Sequence, residues 1–296
     1  MHHDADGVAS CSLFLLANKL TTGDVDVVFP DEFGDVGDAD VVLDMSPSSL
    51  SYTGIVYDHH PQSRQAVEAK KAKYKLLWDH VPTSVVVFQR HKADISPEHW
   101  WKVAIGCAGD SQIAAIPAEI LLNCPHLFES MVSFYAKYGK MEAYPHPVYR
   151  LLSSPVNSYC RAGREREALD LVMTVKDPLA LVTDLEAKKI REMLDTEVSN
   201  ALARERGLLL QHRMVVVFSY ESSHRLEGLV ATRLGEGGDT VVAVNEATGN
   251  LSIRGDLTGL VVHLLNKAGI KVAGHAGFAG GRLGKKVLSD LVDALR

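Results

Sequence analysis

The sequence predicts an α/β protein with a mostly parallel sheet in its N-terminal domain, a helical connector and a smaller α/β C-terminal domain. Short runs rich in Val and Ile alternate with helical patterns, which is typical of parallel strands covered by helices. A long, charged helical pattern separates two such regions. We therefore place the N-terminal domain at residues 1–160, the connector at 161–207 and the C-terminal domain at 208–296.

Local patterns predict each element of the N-terminal domain. Apolar residues at turn spacing predict a helix over residues 7–20. Nearly continuous apolar runs predict buried strands at residues 24–29, 41–44 and 55–57. Further helical patterns are found at residues 67–80, 84–91 and 97–107, the last with a proline in its first turn.

The connector and the C-terminal domain show the same two periodicities. Asp177-Pro178 interrupts the connector and predicts two helices there. Strands are expected at residues 214–219, 240–244 and 251–254, and helices at residues 226–234, 256–268 and 285–295. Residues 274–284 are predicted to form a glycine-rich loop.

The composition excludes several classes of protein. The 296 residues are 46% hydrophobic and 23% charged, which is too apolar for a disordered chain. We expect no membrane span, no secretory signal and a cytoplasmic location, because no long apolar run or signal pattern is present. The net charge of −6 argues against coating of long nucleic acid by bulk electrostatics. The four cysteines form no CxxC pair, so we expect buried thiols.

Four groups of acidic and histidine residues stand at the ends of predicted elements. They are His2-His3-Asp4-Ala5-Asp6-Gly7 before the first helix, Asp44 at a strand end, Asp58-His59-His60 after a strand, and Asp110 after a helix. Alone, each group is an ordinary helix cap or solvated loop. Together they favour a site, because ligands gather at the carboxyl ends of strands in open α/β sheets.

These residue types suit two hard divalent ions. Imidazole and carboxylate ligands without thiolate favour Mn, Mg or Fe over structural zinc. Four aspartates at positions 4, 6, 44 and 110 carry charge that two divalent ions would balance. Two ions about 3.5–4 Å apart would activate water and clamp phosphoryl oxygens. We expect Mn, with Mg as the alternative. The other acidic residues between positions 24 and 40 fit no ligand pattern and are expected to be solvated.

The four groups resemble the motifs of a known family. The segments HHDADGVAS, the strand ending at Asp44, YDHH and GCAGD resemble motifs one to four of the DHH phosphoesterases. Residues LSIR (251–254) and GHAGFAGG (274–281) resemble the DHH-associated domain of the RecJ-like and oligoribonuclease branches. PVNSYCRAGREREALDLV resembles an Asn…Arg-x-Gly segment of the RecJ-like branch. Two features depart from the family: no hydrophobic strand precedes the first motif, and Phe278 stands where small residues are usual.

The resemblance implies a role for each matching position. The implied metal ligands are His2, Asp4, Asp6, Asp44, His59 and Asp110, with Asp44 bridging the two ions. His60 would face the substrate phosphate or protonate the leaving oxygen, and Asp58 would orient a histidine. Asn157 and Arg161 would support the site from the connector. The implied substrate-binding residues of the C-terminal domain are Ser252, Arg254, Gly274, His275, Gly280, Gly281 and Arg282.

The expected function is metal-dependent hydrolysis of short single-stranded oligonucleotides or related small nucleotides. Two other enzymatic functions stay open: a RecJ-like 5′ single-strand exonuclease, and a phosphatase for phosphoadenosine phosphate or cyclic dinucleotides. A third alternative is a catalytically degenerate protein that binds nucleic acid. The oligomeric state is left open.

Overall fold

The structure is a computed structural model in which the chain forms two compact units, Met1–Ile190 and Arg191–Arg296. It describes residues 1–30, 36–47, 49–137, 140–203, 208–212, 214–275, 277–284 and 286–295. The side chains of residues 132–145, 212 and 275 lie outside this description. Among the described helices, none is both long enough and apolar enough to cross a membrane.

The first unit combines a small sheet with many helices, which confirms the α/β class. Its strands are β1 (Val41–Leu43), β2 (Ile55–Asp58), β3 (Lys75–Trp78), β4 (Ser130–Lys137) and β5 (Lys140–Pro147). Its helices are α1 (Ala5–Ala17), α2 (Pro61–Glu68), α3 (Thr83–His91), α4 (Val103–Gly109), α5 (Ala118–Asn123), α6 (Val148–Leu151), α7 (Ser153–Arg161), α8 (Glu165–Thr174) and α9 (Pro178–Val182). Helix α10 (Leu185–Leu202) contains the boundary between the units.

Strands β1, β2 and β3 form a parallel sheet with β2 at its centre. Val42 pairs with Val56, and Val56 pairs in turn with Leu76. Val42 and Val56 are buried, as expected for parallel strands with cover on both faces. Because the strands are parallel, their carboxyl ends lie along one edge, where Asp44 and Asp58 are found.

Helix α1 is almost completely buried and contacts α3, α4 and α8. Its sequence, ADGVASCSLFLLA, consists mainly of small or apolar residues, so every face of the helix can pack closely. Burial of this helix fixes its N-terminus, where Asp6 is fully buried and the Asp4 side chain stays partly exposed.

Two predicted elements of the first unit are wrong. Residues 24–29, all described, form no strand, and no described strand lies beside them to supply the ladder that a strand needs. The helix predicted at residues 67–80 is instead the end of α2, a turn and strand β3. Its Ala- and Lys-rich pattern favours a helix locally, but pairing of Lys75–Trp78 with β2 overrides that preference. The predicted helix at residues 97–107 begins as a 3-10 turn before α4.

The second unit is built on a six-stranded mixed sheet of order β10-β11-β9-β8-β7-β6, in which only β7 and β8 are paired in parallel. The strands are β6 (Leu208–His212), β7 (Val215–Tyr220), β8 (Thr240–Asn245), β9 (Asn250–Arg254), β10 (Lys271–His275) and β11 (Phe278–Arg282). The helices are α11 (Glu227–Leu234), α12 (Thr258–Lys267) and α13 (Leu288–Leu295). Gly207 and Lys285, at the predicted limits of the connector and the last helix, lie outside the described residues.

The glycine-rich loop predicted at residues 274–284 is also wrong. Residues 271–282 form the hairpin β10–β11 instead. Gly274 has a φ of +154°, and a Cβ atom there would lie 2.3 Å from the carbonyl oxygen of Phe278. A Cβ at Gly281 would lie 2.3 Å from the carbonyl oxygen of Lys271. These glycines therefore permit the close approach of two strands. From sequence alone, this reason for a glycine cannot be distinguished from a role in binding phosphate. Ala276 lies outside the described residues.

Candidate metal centre and substrate-binding face

The carboxyl edge of the β1–β3 sheet collects the acidic and histidine residues of all four sequence motifs. Asp44 follows β1, Asp58 ends β2 and His59 and His60 follow it. The N-terminus of α1 and the C-terminus of α4 reach the same place, because both helices pack together. They bring Asp4 and Asp6 on one side and Asp110 on the other.

The first motif is held by backbone contacts at both ends. Asp4 is the N-cap of α1, and its Oδ1 accepts a hydrogen bond of 2.9 Å from the amide of Gly7. A Cβ at Gly7 would lie only 2.3 Å from the carbonyl oxygen of His2, which explains the glycine. The amide of His2 donates to the carbonyl of Leu43 at 3.1 Å, so His2 is tied to the end of β1.

Asp44 occupies the centre of the cluster. Its φ of +61° lies in the left-handed region, which aspartate tolerates better than most residues. Its amide donates to the carbonyl of Tyr57 at 2.9 Å, and its side chain is only 1% exposed. This backbone conformation and burial hold the carboxylate among its neighbours.

Short distances join Asp44 to histidines from two motifs. Nδ1 of His2 lies 2.8 Å from Oδ2 of Asp4 and 3.6 Å from Oδ2 of Asp44. Nε2 of His59 lies 3.4 Å from Oδ1 of Asp44 and 3.3 Å from Oδ2 of Asp110. Asp44 and His59 therefore link the two sides of the cluster.

Asp58 acts on the two histidines that follow it. Its Oδ1 accepts from the amides of His59 and His60 and lies 2.7 Å from Nδ1 of His60, while its Oδ2 accepts from the hydroxyl of Ser63. Burial opposes its charge, but these donors outweigh burial and lower the pKa of Asp58. The ionised carboxylate accepts the Nδ1 proton of His60, so a proton given to a reacting group would come from Nε2.

The electrostatics of the cluster favour a cation. Burial, followed by repulsion from Asp6 and Asp4, raises the pKa of Asp44 well above its ordinary value. Burial and the same neighbours, together with Asp44, do the same to the pKa of Asp110. Oδ2 of Asp110 is buried and has no hydrogen-bond partner among the described residues. Crowded, buried carboxylates are the arrangement that a divalent ion stabilises.

Three groups of residues fit an ion within the described part of the chain. They are His2, Asp4 and Asp44; Asp44, His59 and His60; and Asp6, His59 and Asp110, and the ligand atoms of each group lie within 4.8 Å of one another. Asp44 and His59 each belong to two groups, so the groups form one continuous centre. The structure thus brings together all six predicted ligands, and it adds His60 as a further donor.

Solved structures of other proteins share this fold. RecJ from Thermus thermophilus in complex with Mn²⁺ aligns with 99% of this chain and 50% of its own, at 16% identity and a TM-score of 0.58. An exonuclease RecJ bound to manganese aligns with 100% of this chain and 89% of its own, at 16% identity and a TM-score of 0.53. The chain has the RecJ fold. This confirms the fold implied by the resemblance to DHH phosphoesterases.

A further solved structure shares this fold. CDC45 from Entamoeba histolytica shares the RecJ fold at 8% identity, with 99% of this chain and 93% of its own aligned and a TM-score of 0.52. The chain spans about half the length of the T. thermophilus RecJ chain. No family model matches the sequence. No curated protein matches it either.

The connector motif of this RecJ fold reaches the centre through Asn157. Oδ1 of Asn157, on α7, accepts a hydrogen bond of 3.0 Å from the amide of Ala5, between the two aspartates of the first motif. Arg161 ends the same helix. The position of Asn157 therefore agrees with a supporting role, and the role of Arg161 stays a prediction.

In the second unit, strands β9 and β11 carry polar and aromatic side chains on one face of the sheet, and helix α11 covers part of that face. Phe278, Gly280 and Arg282 alternate along β11 and pair with Arg254, Ser252 and Asn250 of β9. Phe278 is 53% exposed, and the guanidinium carbon of Arg254 lies 5.0 Å from the centre of its ring. Ser252 is buried and its hydroxyl donates to the carbonyl of Ala279 at 3.4 Å, and its phosphate contact stays a prediction.

Lys271, opposite Arg282 on β10, extends the positive charge of this face. The backbone of His275 is described as part of β10, but its side chain lies outside the described residues. Arg282 is exposed and its Nε donates to the carbonyl of Thr248. The face thus combines cations with an exposed aromatic ring, which suits phosphate and base of a nucleotide.

Sequence reasoning missed residues that hold the ligands. The amides of Thr83 and Ser84, at the start of α3, donate to Asp6 at 2.6 and 3.0 Å. The Thr83 hydroxyl donates to Oδ1 of Asp44 at 2.9 Å. The signal available in the sequence was the Thr-Ser pair at the start of the helix predicted over residues 84–91, which is common in helices without any such role.

Proposed function

We propose that this chain is a divalent-metal-dependent phosphodiesterase that hydrolyses short oligonucleotides or related small nucleotides. The observation that carries the proposal is the continuous centre formed by three ligand groups that share Asp44 and His59. The RecJ fold supports it, because that fold is seen here with every ligand position of the sequence motifs filled by a suitable side chain.

In this proposal the centre holds two divalent ions, with Mn favoured. His2 and Asp4 would hold one ion, Asp6, His59 and Asp110 would hold the other, and Asp44 would bridge them. The ions would supply an activated water and positive charge for the phosphoryl oxygens. The bridging role is supported by the burial of Asp44 and by its distances of 3.6 Å to Nδ1 of His2 and 3.4 Å to Nε2 of His59.

His60 is the proposed proton donor to the leaving oxygen. Asp58 fixes its ring through Nδ1 at 2.7 Å and raises the pKa of the imidazole against the effect of burial. The raised pKa favours the imidazolium form of His60, which is the form that general-acid catalysis requires. The centre of its ring lies 4.5 Å from that of His59 and 6.3 Å from that of His2, so the proton would be delivered beside the ligand groups.

The second unit is proposed to bind the substrate through the exposed side chains at the β10–β11 side of this sheet face. Arg254, Arg282 and Lys271 would contact phosphates, and Phe278 would stack on a base. Gly274 and Gly281 are still proposed to lie near the substrate. They would act by permitting the hairpin to form, and not by binding phosphate directly. A few such contacts suit a short substrate, since the net charge of −6 gives no bulk attraction for long nucleic acid.

The test is hydrolysis of 5′-labelled RNA and DNA of two to about twenty nucleotides, with Mn²⁺ and with chelator. We expect metal-dependent release of mononucleotides, fastest on the shortest chains. Cleavage that improves with length would favour the RecJ-like 5′ exonuclease instead. Hydrolysis only of phosphoadenosine phosphate or cyclic dinucleotides would favour the small-nucleotide phosphatase.

Two histidines of different motifs provide a matched pair of variants. His60→Gln should lose most activity, whereas His3→Gln should retain it, because Nδ1 of His3 faces the carbonyl of Pro30 rather than Asp58. Binding of nucleic acid without hydrolysis of any substrate, and no retention of metal, would support the degenerate binding protein and refute the enzyme.

A further inference from the structure

Thr83 is a fully buried residue that stands between two predicted metal ligands without being a ligand itself. It opens helix α3, immediately after the turn that follows β3. It carries no ionisable group, and its side chain has a hydroxyl and a methyl group where a valine would fit with nearly the same shape. A polar side chain at such a position has to be hydrogen-bonded to be stable.

The contacts of Thr83 reach two carboxylates from different parts of the fold. Its amide donates to Oδ2 of Asp6, in the first turn of α1, at 2.6 Å. Its hydroxyl donates to Oδ1 of Asp44, at the end of β1, at 2.9 Å. One residue therefore couples the orientation of a ligand on a helix to that of a ligand on a strand.

The Thr83 hydroxyl makes the shorter of two contacts with Oδ1 of Asp44, at 2.9 Å against 3.4 Å for Nε2 of His59. This donor restricts rotation of the carboxylate and leaves Oδ2 directed to the His2 side, where Nδ1 lies at 3.6 Å. The left-handed backbone of Asp44 places this carboxylate, but the torsion about its last bond is broad in the absence of a partner. Because the site is buried, solvent water has little access to it and would not replace the Thr83 hydroxyl if that donor were removed.

We propose that Thr83 is a positioning residue of the metal centre, whose hydroxyl orients the bridging Asp44 while its amide holds Asp6. The inference rests on the proposed function, since it assigns Thr83 a role toward ions held by those carboxylates. Partners that orient metal ligands in this way typically change metal affinity about 10- to 100-fold when they are removed. The hydroxyl is the only part of the residue that the proposal requires beyond its backbone.

Three variants separate the hydroxyl from packing. Thr83→Val removes the donor and keeps the shape and the amide. Thr83→Ser keeps the donor and removes the methyl group. Ser84→Ala is the matched control, because the Ser84 hydroxyl donates to the carbonyl of Val103 at 3.4 Å rather than to a ligand, while its amide contact with Asp6 is retained.

The measurement is Mn²⁺ affinity by calorimetry, together with the electron paramagnetic resonance spectrum of bound Mn²⁺. We expect Thr83→Val to bind Mn²⁺ about 10- to 100-fold more weakly, with an altered spectrum. Thr83→Ser and Ser84→Ala should stay close to the wild-type affinity and spectrum. Urea unfolding in chelator checks that each variant is folded, and Thr83→Ala replaces the valine variant if that one does not fold.

The inference is overturned if Thr83→Val binds Mn²⁺ as tightly as the wild type with an unchanged spectrum. It is also overturned if Thr83→Ser loses affinity as much as Thr83→Val, since the methyl group would then be responsible. Absence of Mn²⁺ binding by the wild type would instead refute the metal centre of the proposed function, and the role of Thr83 with it.

Discussion

Replacement of Gly106 by alanine should disturb the metal centre from a residue that is not a ligand. Gly106 lies in α4 against Asp6 and the start of α3. A Cβ atom there would lie 2.0 Å from Oδ1 of Asp6 and 2.2 Å from Oγ of Ser84, where contacts below 3.0 Å essentially never occur. Both atoms therefore have to move by about 1 Å, and a shift of this size can reduce catalysis about 100-fold.

The free energy of unfolding should also fall. Overpacking costs about 1–3 kcal/mol, against a gain of up to about 1 kcal/mol from the better helix propensity of alanine. Urea unfolding in chelator and Mn²⁺ affinity measure the two effects separately. Gly259→Ala, a helical glycine of α12 with nothing within 4 Å of the added Cβ, is the control and should be neutral or stabilising. Wild-type stability and Mn²⁺ affinity in Gly106→Ala would refute the close approach on which this reasoning depends.

Three further predictions concern charge and stacking. Asp110→Asn should raise the melting temperature in chelator, by about 2–4 °C for each 1 kcal/mol gained, because burial and the neighbouring Asp6 and Asp44 disfavour a charged Asp110, and it should reduce the further rise on adding Mn²⁺. Burial lowers the pKa of Lys102 to about 8, so the folded chain favours the neutral amine. The free energy of unfolding should therefore increase from pH 8 to 10.5. Lys102→Met should remove this increase, which amounts to up to about 3 kcal/mol. Phe278→Ala should weaken nucleotide binding in chelator by about 1–3 kcal/mol, measured by fluorescence titration.

Each of these predictions has an outcome that contradicts it. Unchanged apo stability in Asp110→Asn would show that the carboxylates do not repel in the folded chain. A stability difference between wild type and Lys102→Met that does not vary with pH would contradict the lowered pKa. Equal nucleotide affinity of Phe278→Ala and wild type, alongside a loss in Arg254→Ala, would assign the face to phosphate contacts without stacking.

The strands that sequence predicted correctly are those with continuous burial. The Val-rich runs at β7 and β8 are paired and buried in the second unit, where hydrophobic period and environment agree. The failure at β3 arose because Lys75–Trp78 follows a stretch of Ala and Lys that favours a helix locally. The hairpin β4–β5 was not predicted at all. Its cross-strand pairing depends on register, which a single sequence window does not contain.

The site was more predictable than the fold around it. His2, Asp44 and Asp110 were selected from residue type and from their position at element ends, and the structure brings them to one sheet edge. The residues that hold them were not predicted, because threonine, serine and glycine are common throughout the chain. Only the 2.9 Å contact of Thr83 and the close approach of Gly106 distinguish these two from ordinary members of their helices.

Residue type and spacing were enough to predict the chemical character of this protein: carboxylates and imidazoles stand at the ends of α/β elements. These properties are local, so they can be recognised in short segments. Folding sets which of these side chains come together, which donors contact Asp44, and that residues 271–282 form a hairpin. These depend on atoms from segments far apart in the chain approaching within a few ångströms, and only packing of the folded chain sets such distances.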